Sequence, residues 1–106
     1  IPNTGLQITN LPADAVVETN AVFSRDSIKP ILAGTLSEEL REMMMPHIEN
    51  HAAILEASKT CNKELVVQSF LRDPLVKAKC TDEAQIRSLV DDMIRNTSGY
   101  LPEGWK

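Results

Sequence analysis

Two histidines with metal-ligand spacing are the first residues of this sequence that could do chemistry. His47 and His51 lie four residues apart in a stretch that predicts a helix, with Glu49 between them. Imidazoles at positions i and i+4 share one helix face and can bind a single metal ion. The Glu does not directly follow the first His, as it does in HExxH zinc proteases, and no third ligand stands nearby. We therefore expect a surface or interface role for the pair, with a small metal-binding protein as an alternative.

Cys61 and Cys80 are the second candidates for chemistry. They lack CxxC spacing, and no base stands beside either of them in the sequence, so neither is favoured as a nucleophile. Two cysteines are also far fewer than a disulfide-stabilised secreted domain carries, so we expect reduced, buried thiols. The sequence contains no GxGxxG, P-loop or GxSxG motif and therefore predicts neither a dinucleotide site nor an activated serine.

The remaining reactive side chains have structural explanations. Three consecutive methionines at 43–45 form a soft apolar cluster, which favours packing in a core or interface over a binding surface. Four carboxylates fall in the first turns of predicted helices, where negative charge stabilises the helix dipole. These carboxylates are Glu38, Glu39, Asp82 and Glu83.

The elements that must position these residues are mostly helices, which we predict over residues 37–106. Ser37 is a plausible N-cap for a first helix that runs to about Ser58. Pro46 lies inside this helix and removes one backbone donor, so the sequence predicts a kink or a break near residues 43–45.

Three further helical segments follow. Asn62 caps the second helix, Asp73 and Pro74 introduce a short third segment over residues 75–78, and Thr81 caps the last helix. The last helix ends within residues 96–99 and carries the clearest amphipathic stripe of the chain. The stripe consists of Ile86, Leu89, Val90, Met93 and Ile94. The tail from Tyr100 to Lys106 either packs back on the helices or frays.

Residues 1–36 are predicted to be an irregular segment with two short strands. Residues 15–23 have apolar side chains on both faces, which predicts a strand covered on both sides. Residues 28–33 form a second run, and Pro30 places it at a sheet edge. The two runs can pair as a hairpin, which is marginal in water unless a larger sheet or a helix covers it. The predicted fold class is therefore α+β, predominantly α, and a fragment of a larger α/β enzyme.

Composition sets the outer limits of the function. The 106 residues are 42% hydrophobic with a net charge of -4, which fits one small domain, residues 1–106, and provides no basic stripe for nucleic acid. No apolar run approaches the roughly 20 residues of a bilayer span. We expect a soluble, cytoplasmic protein with neither a nucleic-acid nor a membrane partner. Because Ile1 opens a turn-like run without an initiator Met, we also expect that the chain was cut from a longer one.

A series of short motifs gives the sequence a family resemblance. Residues 1–5 (IPNTG) and 10–19 (NLPADAVVET) resemble the elements PN-x-G and NLP-x-x-A-V-V-E, which open the last portion of glycoside hydrolase family 4 enzymes. Residues 30–36 (PILAGTL) are similar to the family's P-x-x-x-G-x-L step, and residues 70–76 (FLRDPLV) to its F-L-x-D-P-L-V signature. Residues 21–27 (AVFSRDS) look closest to the α-galacturonidase and α-galactosidase-like members rather than those acting on 6-phosphoglycosides.

The resemblance implies a C-terminal piece of an unusual glycosidase that uses NAD and a divalent metal, commonly manganese. In this family, NAD takes a hydride from C3 of the sugar, which acidifies C2. Proton loss and elimination expel the aglycone, water adds, and the hydride returns, while the metal stabilises enolate-like charge. The piece alone is expected to be inactive and to bind no cofactor. Its expected partners are the N-terminal catalytic domain, a glycoside bound through that domain, and further copies in a homo-oligomer.

The resemblance assigns no catalytic, cofactor or metal residue within this chain. The family's Rossmann glycines and its metal-binding Cys and His lie upstream, so Cys61 and His47 do not inherit those roles. The loop around Asn3 follows the catalytic core in the family, so Asn3 is a candidate for proximity to the substrate pocket, although turn formation is the favoured role. A stand-alone helical interaction module is the alternative function.

Overall fold

The computed structural model describes residues 1–105, and Lys106, the end of the predicted tail, lies outside the described part. An antiparallel hairpin precedes a series of helices, so the predicted α+β, mostly helical class is confirmed. The strands and helices are β1 (Ala21–Phe23), β2 (Ile28–Pro30), α1 (Glu38–Thr60), α2 (Lys63–Arg72), α3 (Pro74–Lys77) and α4 (Glu83–Thr97), followed by the 3-10 turns Ser98–Tyr100 and Glu103–Trp105.

The chain divides into two compact units, one formed by Ile1–Ile48 and the other by the residues from Glu49 onward. Each unit has its own buried apolar cluster. The assignment of residues 1–106 to one C-terminal domain stays a prediction.

The first unit is built around an N-terminal loop. Its buried residues are packed by partly buried side chains that include two of the three consecutive methionines. The buried members are Ile8, Leu11, Ala15 and Val17, and the packing members are Leu36, Met44, Met45 and Ile48. Burial of apolar side chains is what holds this irregular segment together.

The hairpin is confirmed, but the strands are shorter than predicted. β1 pairs with β2 in the register Ala21↔Pro30, Val22↔Lys29 and Phe23↔Ile28. Residues 15–20 are not a strand, because backbone bonds from Asn3 N to Ala15 O and from Val17 N to Ile1 O tie residues 15–17 to the N-terminal loop. Cover on both faces is also wrong within the described residues, since Phe23 is 75% exposed.

Helix α1 begins after Ser37, whose Oγ accepts the backbone N–H of Leu40 at 3.4 Å, as the predicted cap should. The predicted break at Pro46 is wrong, because the helix continues through this residue to Thr60. The missing backbone bond is offset by Met44, Met45 and Ile48, which pack on the core of the first unit on either side of the proline.

The second unit follows the predicted capping pattern with one exception. The side chain of Asn62 accepts the N–H groups of Glu64 and Leu65, and Asp73 caps α3 with Pro74 at its first position. The last helix is capped by Asp82, whose side chain accepts from Ala84 N, and not by Thr81. A carboxylate both caps and favours the helix dipole, so it is the stronger of the two adjacent candidates.

The amphipathic stripe of α4 is split between core and surface. Ile86 and Val90 join Val67 in the core of the second unit, and Ile94 packs beside them. Further partly buried side chains complete this core, namely Val66, Phe70, Leu71, Val76 and Cys80. Among residues 1–105, no helix has both the length and the apolar character needed to cross a bilayer.

Candidate functional site

Asn3 is buried and fully engaged in the N-terminal loop. Its Nδ2 donates to the carbonyl oxygens of Ile8, Leu11 and Pro12 at 2.9, 3.1 and 3.2 Å. Its Oδ1 accepts the backbone N–H of Ile8 at 3.0 Å. The side chain therefore closes the loop, which is the structural role expected from the sequence. Proximity of Asn3 to a substrate pocket stays a prediction.

The loop also depends on a second buried amide. Gln7 is 2% exposed, and its Nε2 donates to Pro2 O at 3.1 Å while its Oε1 accepts from Gly5 N at 3.1 Å. Leu6, between Gly5 and Gln7, has a φ of 50°. The two amides replace the regular backbone pairing that this segment lacks.

His47 and His51 both lie on α1, and both are exposed, as is Glu49 between them. Across residues 1–105, no three His, Cys, Asp or Glu side chains come close enough together to hold a metal ion. The spacing brings two imidazoles onto one helix, but the described residues add no third ligand to them.

The two cysteines are free and only partly buried. Cys61 has a φ of 53° and ends α1 in a Schellman-type turn, in which Asn62 N bonds to Ala57 O at 3.3 Å. A side chain on Gly104 would start 2.7 Å from the Cys61 Sγ, so a larger residue there would require the Cys61 side chain or the tail to shift. Cys80 donates from Sγ to Gln85 Oε1 at 3.3 Å. Both thiols have packing roles in the structure.

Glu64 and Arg87 form the centre of a charged network in the second unit. Two bonds of 2.7 and 2.9 Å join the guanidinium of Arg87 on α4 to the carboxylate of Glu64 on α2. Glu83 and Gln68 extend the network from the same two helices. The pKa of Glu64 is lowered to about 2, first by the hydrogen bond from Arg87 and then by the one from Gln68. The pKa of Arg87 is raised, first by its hydrogen bond to Glu64 and then by the one to Glu83. Because these groups are exposed, the network orients α2 and α4 more than it stabilises them.

Exposed apolar side chains are concentrated in the hairpin and just after it, and this group is here called the hairpin face. Phe23 and Leu32 are 75% and 66% exposed, and three further side chains accompany them. The others are Val22, Ile28 and Ile31. Exposed apolar side chains grouped in one segment favour contact with another protein.

A second surface, the α4 groove, is an apolar cavity of about 430 Å³ in the second unit. Leu89 and Met93 on α4 line it, together with Val66 on α2 and with Leu101 and Trp105 of the tail. The tail therefore packs back through Trp105, whereas Tyr100 is 93% exposed. The sequence stripe of α4 gave a signal for Leu89 and Met93, but nothing local placed Val66, Leu101 and Trp105 beside them.

The comparisons with known proteins give the class of this domain. The model of the family 4 glycosyl hydrolase C-terminal domain matches residues 1–76. The chain belongs to this family, and the family resemblance of the sequence is confirmed.

The relatives that the chain matches are glycosidases. The chain is 55% identical over 105 residues to an alpha-galacturonidase of Lachnoclostridium phytofermentans, covering 99% of this chain and 22% of the relative. It is 40% identical to an alpha-galactosidase of Bacillus subtilis, covering 95% of this chain and 23% of the relative. A crystal structure from Bacillus subtilis, described as the glucosidase lplD, superposes with a TM-score of 0.78 at 39% identity, covering 87% of this chain and 20% of that chain. The chain thus spans about a fifth of the length of its relatives.

Proposed function

We propose that this chain is the C-terminal part of an NAD- and divalent-metal-dependent glycosidase, with manganese as the metal, that hydrolyses O-glycosyl bonds in the cytoplasm. The observation that carries the proposal is the match to the glycosidases over nearly the whole chain, at a fifth of their length. An α-linked galacturonide is the favoured substrate class, because the 55% identical relative is an alpha-galacturonidase.

The residues of this chain do not fit either cofactor. No three metal-ligating side chains come together in the described part of the chain, and the sequence contains no glycine-rich dinucleotide loop. We therefore place the NAD and metal sites in the upstream part of the parent and derive no chemical step from the residues present here.

The contribution of this chain is structural, through its two apolar surfaces. We assign the hairpin face and the α4 groove to contacts with the catalytic domain and with further copies of the parent. The hairpin provides the physical reason. Two three-residue strands are marginal in water, and their stability rises when other protein covers Phe23 and Leu32. The isolated chain should then be catalytically inert.

The test compares the parent with its parts. The coding sequence is extended upstream to the length of the relatives, and the parent, the parent lacking this chain, and the chain alone are assayed on α-galacturonides and α-galactosides with and without NAD and Mn²⁺. We expect hydrolysis only by the complete parent and only with both cofactors. Hydrolysis by the chain alone, or an upstream sequence without a dinucleotide-binding unit, would overturn the proposal and favour a stand-alone interaction module.

A further inference from the structure

The first residues of the chain lie antiparallel to the residues that lead into the hairpin. Val17 N donates to Ile1 O at 2.9 Å, and the nitrogen of Ile1 donates to Val17 O at 3.0 Å. Pro2 and Val16 form an antiparallel bridge beside this pair. Each step from Val17 towards the hairpin is therefore matched, in this register, by one step back before Ile1.

One edge of β1 carries backbone groups that do not bond to β2. In an antiparallel pair, residues that bond to the neighbouring strand alternate with residues whose backbone groups point away from it. Asn20 O accepts from Ile31 N at 2.8 Å, so Ala21 and Phe23 direct their N–H and C=O groups away from β2. Within the described residues, the loop and turn bonds include none to these groups.

The two edges of the hairpin differ in what they offer to a further strand. Ile28 and Pro30 are the outward-facing positions of β2, because they pair with Phe23 and Ala21. Pro30 has no N–H, so the β2 edge presents one donor where the β1 edge presents two. An edge with unpaired N–H and C=O groups is a template for strand addition. The β1 edge is therefore the one suited to a third strand.

We propose that the segment directly before Ile1 in the parent is a β-strand that pairs antiparallel with residues 17–23. The inference rests on the proposed function, which places further chain before Ile1, and about four fifths of the length of the relatives lies outside this chain. Val17 and Phe23 are an even number of residues apart, so their backbone groups face the same edge. The register that joins Val17 to Ile1 makes the sixth residue before Ile1 the partner of Phe23.

This segment is favoured over a strand from a second copy because the chain itself holds it beside the edge. Residues 17–20, which connect the Ile1 pair to β1, form neither a helix nor a turn. A covalently attached strand reaches the edge at a high effective concentration, which a separate molecule does not have. Three strands also provide the stability that a two-stranded hairpin lacks in water.

Hydrogen exchange tests the pairing in a parent that hydrolyses glycosides. The amides of Ala21 and Phe23 are compared between the parent and the isolated chain by mass spectrometry with residue-resolving fragmentation. We expect roughly hundredfold slower exchange of both amides in the parent, because each gains a carbonyl acceptor. Ile28 on the opposite edge is the internal control and should change by less than about tenfold.

Two outcomes of this measurement would overturn the pairing. Unchanged exchange of Ala21 and Phe23 in an active parent would exclude the third strand and leave the proposed function standing. Equal protection of Ile28 would show that the whole hairpin is covered in a way that strand addition at the β1 edge does not explain. A parent without glycosidase activity contradicts the proposed function instead, before any exchange is measured.

An engineered disulfide tests the register. Val22 and the fifth residue before Ile1 should form a non-hydrogen-bonded pair with Cα atoms about 4.5 Å apart, which a disulfide can span. Val22 is 55% exposed, so Val22→Cys should fold normally. In the parent, we expect Val22→Cys to form an intramolecular disulfide with a cysteine at the fifth position. A cysteine at the sixth position should form none, because its side chain lies on the opposite face.

Val22→Cys alone is the control for bonds to Cys61 and Cys80, the two native thiols of this chain. Disulfides at both engineered positions, or at neither, would refute the register. A disulfide between two molecules would assign the β1 edge to a second copy and overturn the proposal.

Discussion

Asn3→Ala should open the N-terminal loop and thereby decide whether this residue has a structural or a substrate-facing role. The substitution removes all four hydrogen bonds of a side chain that is 0% exposed. The carbonyl groups of Ile8 and Pro12 keep backbone donors, from Leu11 N at 3.4 Å and Ala15 N at 3.2 Å. The N–H of Ile8 and the carbonyl of Leu11 lose the Asn3 partner that the structure shows for them.

The magnitude follows from these two groups. A buried N–H left without an acceptor costs about 2 kcal/mol and a lost carbonyl bond about 1 kcal/mol, so the loop should lose about 3 kcal/mol. In amide hydrogen exchange, this loss corresponds to roughly a hundredfold faster exchange for amides that the closed loop protects. Val17 N, which bonds to Ile1 O at 2.9 Å, is the reporter.

Asn20→Ala is the matched control, because Asn20 is exposed and uses only its backbone carbonyl, towards Ile31 N. Its effect should stay within about 0.5 kcal/mol. Protection of Val17 that is unchanged in Asn3→Ala would refute the structural role. If the same variant raised KM in the parent without altering exchange, the substrate-facing role would be supported instead.

Three further predictions concern the second unit. In urea denaturation, Cys61→Val should be at least about 2 kcal/mol less stable than Cys61→Gly, because a β-branched residue is strained at a φ of 53° and glycine is not. Equal stability of the two variants would contradict the left-handed turn. Val67→Ala should lower the free energy of unfolding by about 2.5 kcal/mol in the same assay, because Val67 on α2 is fully buried against Ile86 and Val90 of α4. A loss under about 1 kcal/mol would contradict this packing. The pKa of Glu64 is lowered to about 2 by Arg87, so its stabilising contribution is complete above its ordinary value of 4.5 and is lost as the pH falls from 4.5 towards 2. The difference in unfolding free energy between the unmodified chain and Glu64→Gln should shrink over that range, and a pH-independent difference would refute the ion pair.

Helix boundaries were predictable where one local interaction decides them. Asn62 and Asp73 each bond to N–H groups two and three residues ahead, so the cap depends only on the neighbouring sequence. Asp82 and Thr81 are adjacent and both suited to capping, so the pattern was correct to within one residue. The hairpin itself was predicted from its two apolar runs, but its second strand ends at Pro30 and not at residue 33.

The N-terminal loop was not predictable, because its structure depends on contacts between residues far apart in the sequence. Apolar residues on both predicted faces favoured a strand over 15–23, but Ala15 and Val17 lie instead in the core beside Ile8. The four bonds of Asn3 reach as far as Pro12, and no spacing in the sequence indicates them. The same limit applies to the cavity of about 170 Å³ that Asn50 lines, because α1, α2 and α3 each supply lining residues. Tertiary contacts override local pattern at both places.

The exposure of the hairpin face leads to a prediction that compares the isolated chain with the complete parent. Phe23 sits at 75% exposure in a strand of three residues, so the hairpin gains little from its own apolar side chains. Burying one such aromatic ring is worth about 1.5–3 kcal/mol, which would stabilise a hairpin that is marginal in water. Phe23→Ser should therefore barely change the stability of the isolated chain, yet it should weaken the complete parent by that amount in thermal unfolding. Equal effects in the chain and in the parent would show that the hairpin face stays exposed and would remove it from the proposed interface.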